Sequence, residues 1–333
     1  MKKTTLISDI MHIYKRIEDI VEPFADVCVT IGNFDGVHLG HQMLFAEVAH
    51  KAYSRKGASL AITFEPHPLR ILRPGGIKLI SSCEQKIELI QMAGIDALLI
   101  IPFNLDFAAT SAEHFVDDIL LGRIGMKELV VGYDYAFGKG RSGNIAFLQE
   151  QGRVKGFPVT VVEAYYLDGV LVSSTKIRQL VSDGRVEEAR ILLGRPYQIR
   201  GEVQVGKQRG GKEVGFPTAN LQVDPEDLVP RHGVYVSQVI CEGKCYGGVL
   251  NIGHNPTFGG QALVAETHIF NFDQDIYGKP IKINLLKFLR GEQKFASVAE
   301  LASQIGRDVI CAKTMLAEQQ KELMVSCSEH IPS

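Results

Sequence analysis

The stretch that decides the fold is VCVTIGNFDGVHLGHQMLF, residues 27–45. Its first five residues, Val27–Ile31, form a short apolar run that predicts a buried strand. A glycine-bearing loop follows, and His41–Lys56 then places Leu44 and Val48 on one face of a predicted helix. A strand, a tight loop and a helix in this order are typical of the opening unit of an α/β sheet.

Strands and helices continue to alternate on the C-terminal side of this stretch. Apolar strands separated by helices of this length predict a parallel, doubly wound sheet that is covered on both faces. The expected strands are Leu60–Phe64, Ala97–Ile101, Leu129–Val131 and Val159–Val162, and the expected helices lie around Glu84–Ala93 and Ala112–Leu121.

The pattern changes after about residue 195. Short β-prone runs separated by glycine and proline turns extend from Tyr197 to Phe288, which is typical of an antiparallel sandwich or barrel. Ser297, with Glu300 three residues later, predicts a capping box that opens a C-terminal helix.

These patterns predict two domains joined by a helical connector near Lys176–Leu193. The fold class is α/β, with a doubly wound Rossmann-like domain followed by a small antiparallel β-barrel and a C-terminal helix. We expect the domains to span residues 1–186 and 187–333.

Composition excludes several classes of protein. The 333 residues are 45% hydrophobic and carry 36 lysines and arginines against 38 aspartates and glutamates, so no basic excess indicates a nucleic-acid partner. No apolar run approaches the ~20 residues of a membrane span, and the N-terminal residues do not resemble a signal peptide. The six cysteines contain no CxxC pair, which argues against a tetrahedral metal site and favours reduced thiols in a cytoplasmic protein.

The first chemical cluster is GNFDGVHLGHQ, residues 32–42. Gly32 and Gly36 allow the backbone to turn tightly, and the following helix directs free N–H groups at the same place. His38 and His41 are three residues apart, so both imidazoles face one side and could cradle phosphate oxygens. The simpler interpretation is that one histidine caps the helix while the other lies on the surface. A zinc site is less favoured because the pair lacks obvious further ligands.

Two later segments could complete this site. GYDYAFGKGRSG, residues 132–143, follows another predicted strand and contains Asp134. VSSTKIR, residues 172–178, gives hydroxyl groups and two cations at a predicted helix start. That combination suits a pyrophosphate that must be held and then released, although a helix cap with solvated basic residues is the simpler interpretation.

Together these segments resemble the HxGH nucleotidylyltransferases, and specifically the FMN adenylyltransferase half of bacterial bifunctional FAD synthetases. Ala136 stands where that family usually has a basic residue. The motifs that carry the resemblance are GNFDGVHLGHQ (32–42), TFEPHP (63–68), VVGYDYAFGKGRSGN (130–144) and SSTKIR (173–178).

The resemblance implies transfer of AMP from ATP to FMN. The FMN phosphate is an anion near neutral pH, so the reaction needs alignment and charge stabilisation but no strong general base. By resemblance, His38 and His41 contact the ATP phosphates, and Asp134 helps to place the flavin. Ser174, Thr175 and Arg178 would hold the leaving pyrophosphate. The remaining nucleotide-binding residues implied are Gly32, Asn33, Phe34, Asp35, Gly36 and Ser173.

The second chemical cluster is GKQRGGKEVGFPTANL, residues 206–221. It satisfies GxxxxGK, but Glu213 occupies the Ser/Thr position and Pro217 replaces the expected helix, so a P-loop is rejected. Thr218 and Asn220 are two residues apart on an extended segment, so their oxygens could hold a hard cation together. A turn with a structural threonine and asparagine is the alternative.

With three later motifs, this cluster resembles the riboflavin kinase domain along nearly its full length. The motifs are NIGHNPTF (251–258), AETHIFNFDQDIYG (265–278) and LKFLRGEQKF (286–295). The resemblance implies that Thr218 and Asn220 contact Mg²⁺–ATP and that Glu266 is the catalytic base. Arg290 and Glu292 would close over the flavin. Gly206, Lys207, Arg209, Lys212 and Pro217 would line the nucleotide site, with Gly211 where the family pattern has a basic residue.

The sequence therefore predicts a bifunctional transferase. It would phosphorylate riboflavin to FMN and adenylylate FMN to FAD, using Mg²⁺ with ATP and treating flavins as substrates and products. A monomer or weak homo-oligomer in the cytoplasm, with no nucleic-acid or membrane partner, is expected. One alternative is an active kinase whose N-terminal domain is a weak or differently specific nucleotidylyltransferase. Another is a non-catalytic flavin-binding protein.

Overall fold

The computed structural model describes residues 11–204, 215–224, 226–255 and 262–328. The chain divides into two compact units, Met1–Lys176 and Ile177–Ser333. The domain limit that we predict after residue 186 concerns the functional domains, and it stays a prediction.

A parallel sheet forms the centre of the first unit. Six strands of its described part lie in the order β1-β4-β3-β2-β5-β6, and every neighbouring pair is parallel. The strands are β1 (His12–Tyr14), β2 (Val27–Ile31), β3 (Ala58–Glu65), β4 (Ala97–Pro102), β5 (Glu128–Gly132) and β6 (Val159–Val162). A short hairpin follows, made of β7 (Tyr166–Leu167) and β8 (Val170–Leu171).

Helices cover both faces of this sheet, because the buried strands alternate apolar side chains between two cores. Val27 and Val29 of β2 belong to one core, whereas Cys28 belongs to the other. The helices are α1 (Leu39–Arg55), α2 (Pro68–Leu72), α3 (Cys83–Met92), α4 (Leu105–Ala108), α5 (Ala112–His114) with a π-helical continuation (Phe115–Ile124), and α6 (Ile145–Lys155). Helices α1 and α3 pack on one face, and the π-helix and α6 pack on the other.

Two helices connect the sheet to the second part of the chain. They are α7 (Ser174–Ser182) and α8 (Val186–Leu193), and Gly184 between them has a φ of +79°. The expected connector is therefore helical but interrupted by a turn.

The second unit is built on a closed antiparallel barrel. Among its described residues, the strand order is β10-β13-β12-β11-β14-β9. The strands are β9 (Tyr197–Gln204), β10 (Ala219–Gln222), β11 (Gly233–Cys241), β12 (Lys244–Asn255), β13 (Ala262–Ile269) and β14 (Pro280–Arg290). Leu221, Tyr235, Leu250, Ala265 and Ile283 are fully buried on the interior face of this barrel.

A long C-terminal helix, α9 (Val298–Ser328), packs against the outside of the barrel. Val309 and Ala312 of α9 share a core with Val236 and Val249 of the barrel. The Ser297 hydroxyl accepts from the Glu300 N–H at 3.2 Å, as predicted. The Glu300 carboxylate accepts from the Ala296 N–H, not from that of Ser297, so the predicted reciprocal capping box is wrong in that half.

The predicted fold class is confirmed in both units. Helix α1 begins at Leu39, two residues before the expected start, because the His38 side chain caps it. Strand β1 and helix α6 were not predicted from the sequence. No helix in the described residues combines the length and the apolar character needed to cross a bilayer.

Candidate active sites

The first cluster lies where the strand order of the parallel sheet reverses. From β2 the chain adds β3 and β4 on one side, whereas β5 and β6 lie on the other side. In open α/β sheets a crevice forms at this point, outside the carboxyl ends of the strands. The loop 32–38 leaves the end of β2 and the loop 133–143 leaves the end of β5, so both motifs border that crevice.

Buried hydrogen bonds fix the loop 32–38. The Asp35 carboxylate is 4% exposed and accepts from the N–H groups of Ile80 and Ser81 at 3.0 and 3.1 Å. Gly36 has a φ of +81°, and a Cβ there would lie 2.8 Å from the Ile80 side chain. Glycine is therefore required at this position. These contacts give Asp35 and Gly36 structural partners within the site.

His38 and His41 face the same side, as their spacing predicts. Their rings stack with centroids 3.6 Å apart and planes at 17°. His38 also caps α1, since its Nδ1 accepts from the His41 N–H at 3.4 Å. Because Nδ1 accepts, the proton of a neutral His38 ring lies on Nε2, and that atom is the ring's donor.

His41 is held in its neutral form. Burial lowers its pKa well below the ordinary histidine value, with smaller contributions from His38 and from the positive charge of Lys86. The ring meets the edge of Phe34 at 5.4 Å. Within the described residues, its buried Nδ1 has no hydrogen-bond partner. Buried polar atoms are seldom left unpaired, so a ligand or water is the expected partner.

The SSTKIR segment is tied directly to the same loop. Ser173 caps α7 by accepting from the Lys176 N–H at 3.3 Å, and the Ser174 hydroxyl donates to the Asp35 carbonyl at 2.9 Å. Thr175 is exposed on the first turn of α7, and Arg178 lies half-buried further along that helix. The helix-cap interpretation and the predicted proximity of this segment to the glycine loop are therefore compatible.

Asp134 is exposed in the turn after β5 and adjoins an aromatic cluster that the sequence analysis did not predict. Tyr135 stacks on Phe137 with centroids 5.5 Å apart. The buried Tyr135 hydroxyl has no partner among the described residues, and burial raises its pKa. The GYDYAFG segment carries two of the rings, which was the available signal. The other members are Phe64, Phe103, Phe107, Phe115 and Phe147.

TFEPHP lies against the first loop. The Thr63 hydroxyl donates to the Asn33 carbonyl at 3.2 Å, and the Gly32 N–H donates to the Ile62 carbonyl at 3.0 Å. The Asn33 side chain itself is exposed. The motif that begins in the last residues of β3 is thus part of the same edge of the sheet.

The second cluster forms a polar row across three barrel strands. Glu266 of β13 is paired in register with Asn220 of β10 on one side and with Asn251 of β12 on the other. The neighbouring register positions, Leu221 and Ala265, are fully buried. Side chains alternate along strands, so the polar row lies on the face opposite the barrel interior. Asn251 was not among the predicted site residues, although its place in the NIGHNPTF motif could have indicated it.

Burial within this row alters the chemistry of Glu266. Its pKa is raised above the ordinary glutamate value because burial disfavours the charged form. A carboxylate with a raised pKa is a better proton acceptor near neutral pH. The position and the electrostatics of Glu266 therefore suit a general base.

His268 holds the segment that precedes Asn220 in the chain. The Pro217 carbonyl accepts from Nδ1 of His268 at 2.9 Å, and the His268 ring meets the edge of Phe216 at 5.4 Å. The Asn220 amide N–H donates to the Thr218 carbonyl at 3.4 Å. Thr218 is therefore placed next to the row, of which Asn220 is a member.

Glu292 lies beside this row, whereas Arg290 is engaged with helix α9. A Cβ at Gly253 would collide with the Glu292 carboxylate, and the same position is 3.8 Å from the Asn251 amide nitrogen. Arg290 forms a two-pronged pair with the buried Asp308 carboxylate, at 2.7 and 3.1 Å. Asp308 was not among the residues predicted from the sequence. The flavin-binding roles of Arg290 and Glu292 stay predictions.

Part of the predicted nucleotide site cannot be placed. Gly206, Lys207, Arg209, Gly211 and Lys212 lie outside the described residues.

Comparisons with known proteins identify a family for each unit of the chain. A family model described as FAD synthetase matches residues 22–176, and one described as riboflavin kinase matches residues 193–316. A bifunctional riboflavin kinase/FMN adenylyltransferase from Escherichia coli K12 is 36% identical over 306 residues, which cover 91% of this chain and 97% of that protein. The chain belongs to this bifunctional family. The Bacillus subtilis 168 member is 37% identical over 304 residues, covering 90% and 95% of the two chains.

A solved structure has the same overall fold as this bifunctional transferase. It comes from Streptococcus pneumoniae, is 32% identical, and covers 91% of this chain and 99% of its own, with a TM-score of 0.82. Its description is macrolide-efflux protein, which differs from the names of the curated relatives. The fold and both transferase domains of the bifunctional family are thus present in this chain.

Proposed function

We propose that the barrel unit transfers the γ-phosphoryl group of ATP to riboflavin, and that the parallel-sheet unit transfers AMP from a second ATP to the resulting FMN. The observation that carries this proposal is that each unit holds a different kind of polar site. A partly buried carboxylate, Glu266, stands in the barrel, and a stacked histidine pair, in which burial keeps His41 neutral, stands at the start of α1.

The kinase reaction accounts for the carboxylate. Riboflavin's terminal hydroxyl has the high pKa of an ordinary alcohol, so its attack on the γ-phosphorus is assisted by a base that accepts the proton. Glu266 is held on a strand between Asn220 and Asn251, which restricts its movement. A rigid base at this position supports assignment of the phosphorylation to the barrel.

The adenylylation accounts for the histidine pair. FMN brings an already ionised phosphate, so the site must align it with the α-phosphorus and stabilise the departing pyrophosphate. The His38 Nε2–H, the N-terminus of α1 and the hydroxyls at the start of α7 are donors of the kind this requires. We also propose that Thr175 and Arg178 bind the departing pyrophosphate.

The residues of the barrel site fit Mg²⁺ that arrives with ATP. Thr218 and Asn220 offer oxygen donors, and Mg²⁺ prefers oxygen ligands while retaining waters and substrate phosphates. The Asn220 side-chain amide nitrogen donates to the Thr218 carbonyl, so the amide oxygen is the atom of this side chain that can bind a cation. When bound, Mg²⁺ would supply charge neutralisation for the triphosphate. ATP binding, Mg²⁺ use and a cytoplasmic location are parts of the proposal, as is the expected monomer or weak homo-oligomer.

The efflux description of the Streptococcus pneumoniae structure is not transferred to this chain. The two family models together match most of the chain, and both describe flavin enzymes.

The experiment is to incubate the purified chain with riboflavin and Mg²⁺–ATP and to separate the products by chromatography. FMN and then FAD are expected, with ADP and pyrophosphate as the co-products, and chelation of Mg²⁺ should stop both reactions. FMN without FAD would favour the alternative in which the first unit is weak or differently specific, which the Ala136 departure motivates. Flavin binding without ATP consumption would contradict the proposal and support a binding protein.

A further inference from the structure

A lysine is buried in the first unit without a role in the sites described above. Lys86 lies on α3, and its side chain is 6% exposed. Its ammonium nitrogen is 3.3 Å from the Phe64 carbonyl and 3.6 Å from a carboxylate oxygen of Glu65. Burying a cation is costly, and lysine is rarely buried unless it is paired. The burial of Lys86 therefore indicates a role for its charge.

The partners of Lys86 place it at the edge of the sheet that carries the histidine pair. Phe64 and Glu65 are the last two residues of β3. Two residues earlier, the Ile62 carbonyl accepts from Gly32, the first residue of the GNFDGVHLGHQ motif. The ammonium group is therefore bound to the strand end that adjoins the glycine loop.

Lys86 also acts electrostatically on His41. Its positive charge is one of the causes that lower the pKa of His41, after burial and His38. The charged and titratable groups that act on His41 are His38 and Lys86. Those around Lys86 are Glu65 and Cys83. Burial raises the pKa of the Cys83 thiol to about 11, so that group stays neutral.

We propose that Lys86 is a positioning residue of the adenylyl-transfer site. Its ammonium group holds the end of β3 against α3 and maintains a fixed positive charge at the strand end that adjoins the glycine loop. This inference rests on the proposed function, since it assigns the adenylyl transfer to the first unit. It adds a buried cation from helix α3 to the hydrogen-bond donors at the N-terminus of α1.

Two physical consequences follow from this arrangement. A fixed cation adds to the effect of burial in keeping the His41 imidazole neutral. It also adds positive potential at a place where phosphate charge must be stabilised, in surroundings with little water to screen it. A side chain that merely filled space would produce neither effect.

The test compares Lys86→Met, which keeps the shape and removes the charge, with Lys86→Arg, which keeps a charge. Three quantities are measured in the full chain: kcat/KM for FAD formation from supplied FMN, kcat/KM for phosphorylation of riboflavin, and the pKa of His41 by NMR titration. Lys51→Met is the matched control, because Lys51 pairs with Glu128 at the first residue of β5, the opposite end of the sheet.

We expect Lys86→Met to lower kcat/KM for FAD formation at least tenfold, to leave riboflavin phosphorylation within twofold, and to raise the pKa of His41. Lys86→Arg should retain most of the activity, and Lys51→Met should leave FAD formation within twofold. If Lys86→Met and Lys86→Arg lose activity equally with an unchanged His41 pKa, the residue only fills space and the proposal is overturned. Unchanged FAD formation in Lys86→Met overturns it too.

A folding defect of the first unit in Lys86→Met would show as a lowered melting temperature of the full chain, followed by circular dichroism. Lys86→Gln then decides, since it retains a hydrogen-bond donor for the Phe64 carbonyl and removes the charge. A fall of at least threefold in FAD formation, with phosphorylation unchanged, supports the proposal, and no fall overturns it. Wild-type chain that makes no FAD from FMN would instead defeat the proposed function itself.

Discussion

At the scale of single residues, the site chemistry depends on a few groups whose surroundings alter their protonation. Burial raises the pKa of Glu266 and lowers that of His41, because it disfavours the charged form of each side chain. The same physical cause therefore acts in opposite directions on an acid and on a base. Substitutions at these two residues should separate the two reactions.

We predict that Glu266→Gln lowers kcat for riboflavin phosphorylation by about 10²-fold or more, because proton acceptance by a positioned base contributes that much. FAD formation from supplied FMN should remain within twofold. Both rates are measured by chromatography of the flavins. The matched control is Glu242→Gln, since Glu242 lies in an exposed turn and pairs with Lys279. Equal losses of both reactions in Glu266→Gln would contradict separate sites.

The pH dependence of the kinase reaction provides a second prediction for Glu266. The base must be ionised to act, and burial raises its pKa above the ordinary glutamate value. Activity should therefore rise with pH through that raised pKa and fall on acidification earlier than it would for an exposed glutamate. The measurement is kcat/KM for riboflavin against pH, and Glu266→Gln should remove this acid limb from the residual rate. An acid limb that persists unchanged would assign it to another group.

His41→Ala should have the converse effect. Removing a group that helps to bind the phosphates is expected to lower FAD formation by about 10²-fold, the scale of loss for one preorganised donor. Riboflavin phosphorylation should not change. His50→Ala is the control, because His50 is exposed on the same helix. If His50→Ala matched the loss in His41→Ala, a general effect on α1 would be responsible.

At the scale of elements, helix α9 and strand β14 are joined by one ion pair. Arg290, near the end of β14, grips the buried Asp308 of α9 through two of its nitrogens, and Gln304 donates to the same carboxylate at 2.9 Å. Two-pronged pairs of this kind restrict orientation as well as distance. The direction in which the chain leaves β14 toward Glu292 is thus set by helix α9.

We predict that Asp308→Asn raises the KM for riboflavin more than it lowers kcat, because Glu292 then loses its fixed place beside Asn251. Breaking a buried pair leaves a cation unpaired, and we expect the free energy of unfolding to fall by about 2–4 kcal/mol, since Arg290 keeps partial exposure. Denaturant titration and steady-state kinetics measure the two effects. Glu318→Gln on the same helix is the control, since Glu318 is exposed and the change is again from an acid to an amide. A lower kcat at constant KM would contradict this role for Asp308.

At the scale of the whole molecule, two transferase domains in one chain permit a test of independence. Neither Glu266→Gln nor His41→Ala should convert riboflavin to FAD efficiently by itself. A mixture of the two should do so, because FMN released by His41→Ala can enter the intact adenylyl-transfer site of Glu266→Gln. FAD is quantified with time in each variant alone and in the mixture. A mixture no faster than the variants alone would show that FMN does not pass between molecules.

The sequence by itself determined the two-part architecture, because the periods of helices and strands are local properties of the chain. It also supplied the residue types of both clusters, and the positions of β2 and α1 were predicted to within two residues. The pairing of Glu266 with Asn251, the clearance that Gly253 gives to Glu292, and the contacts of Lys86 and Asp308 were decided only by tertiary structure. Strand register and helix packing bring together residues far apart in the chain, and no local pattern encodes those distances.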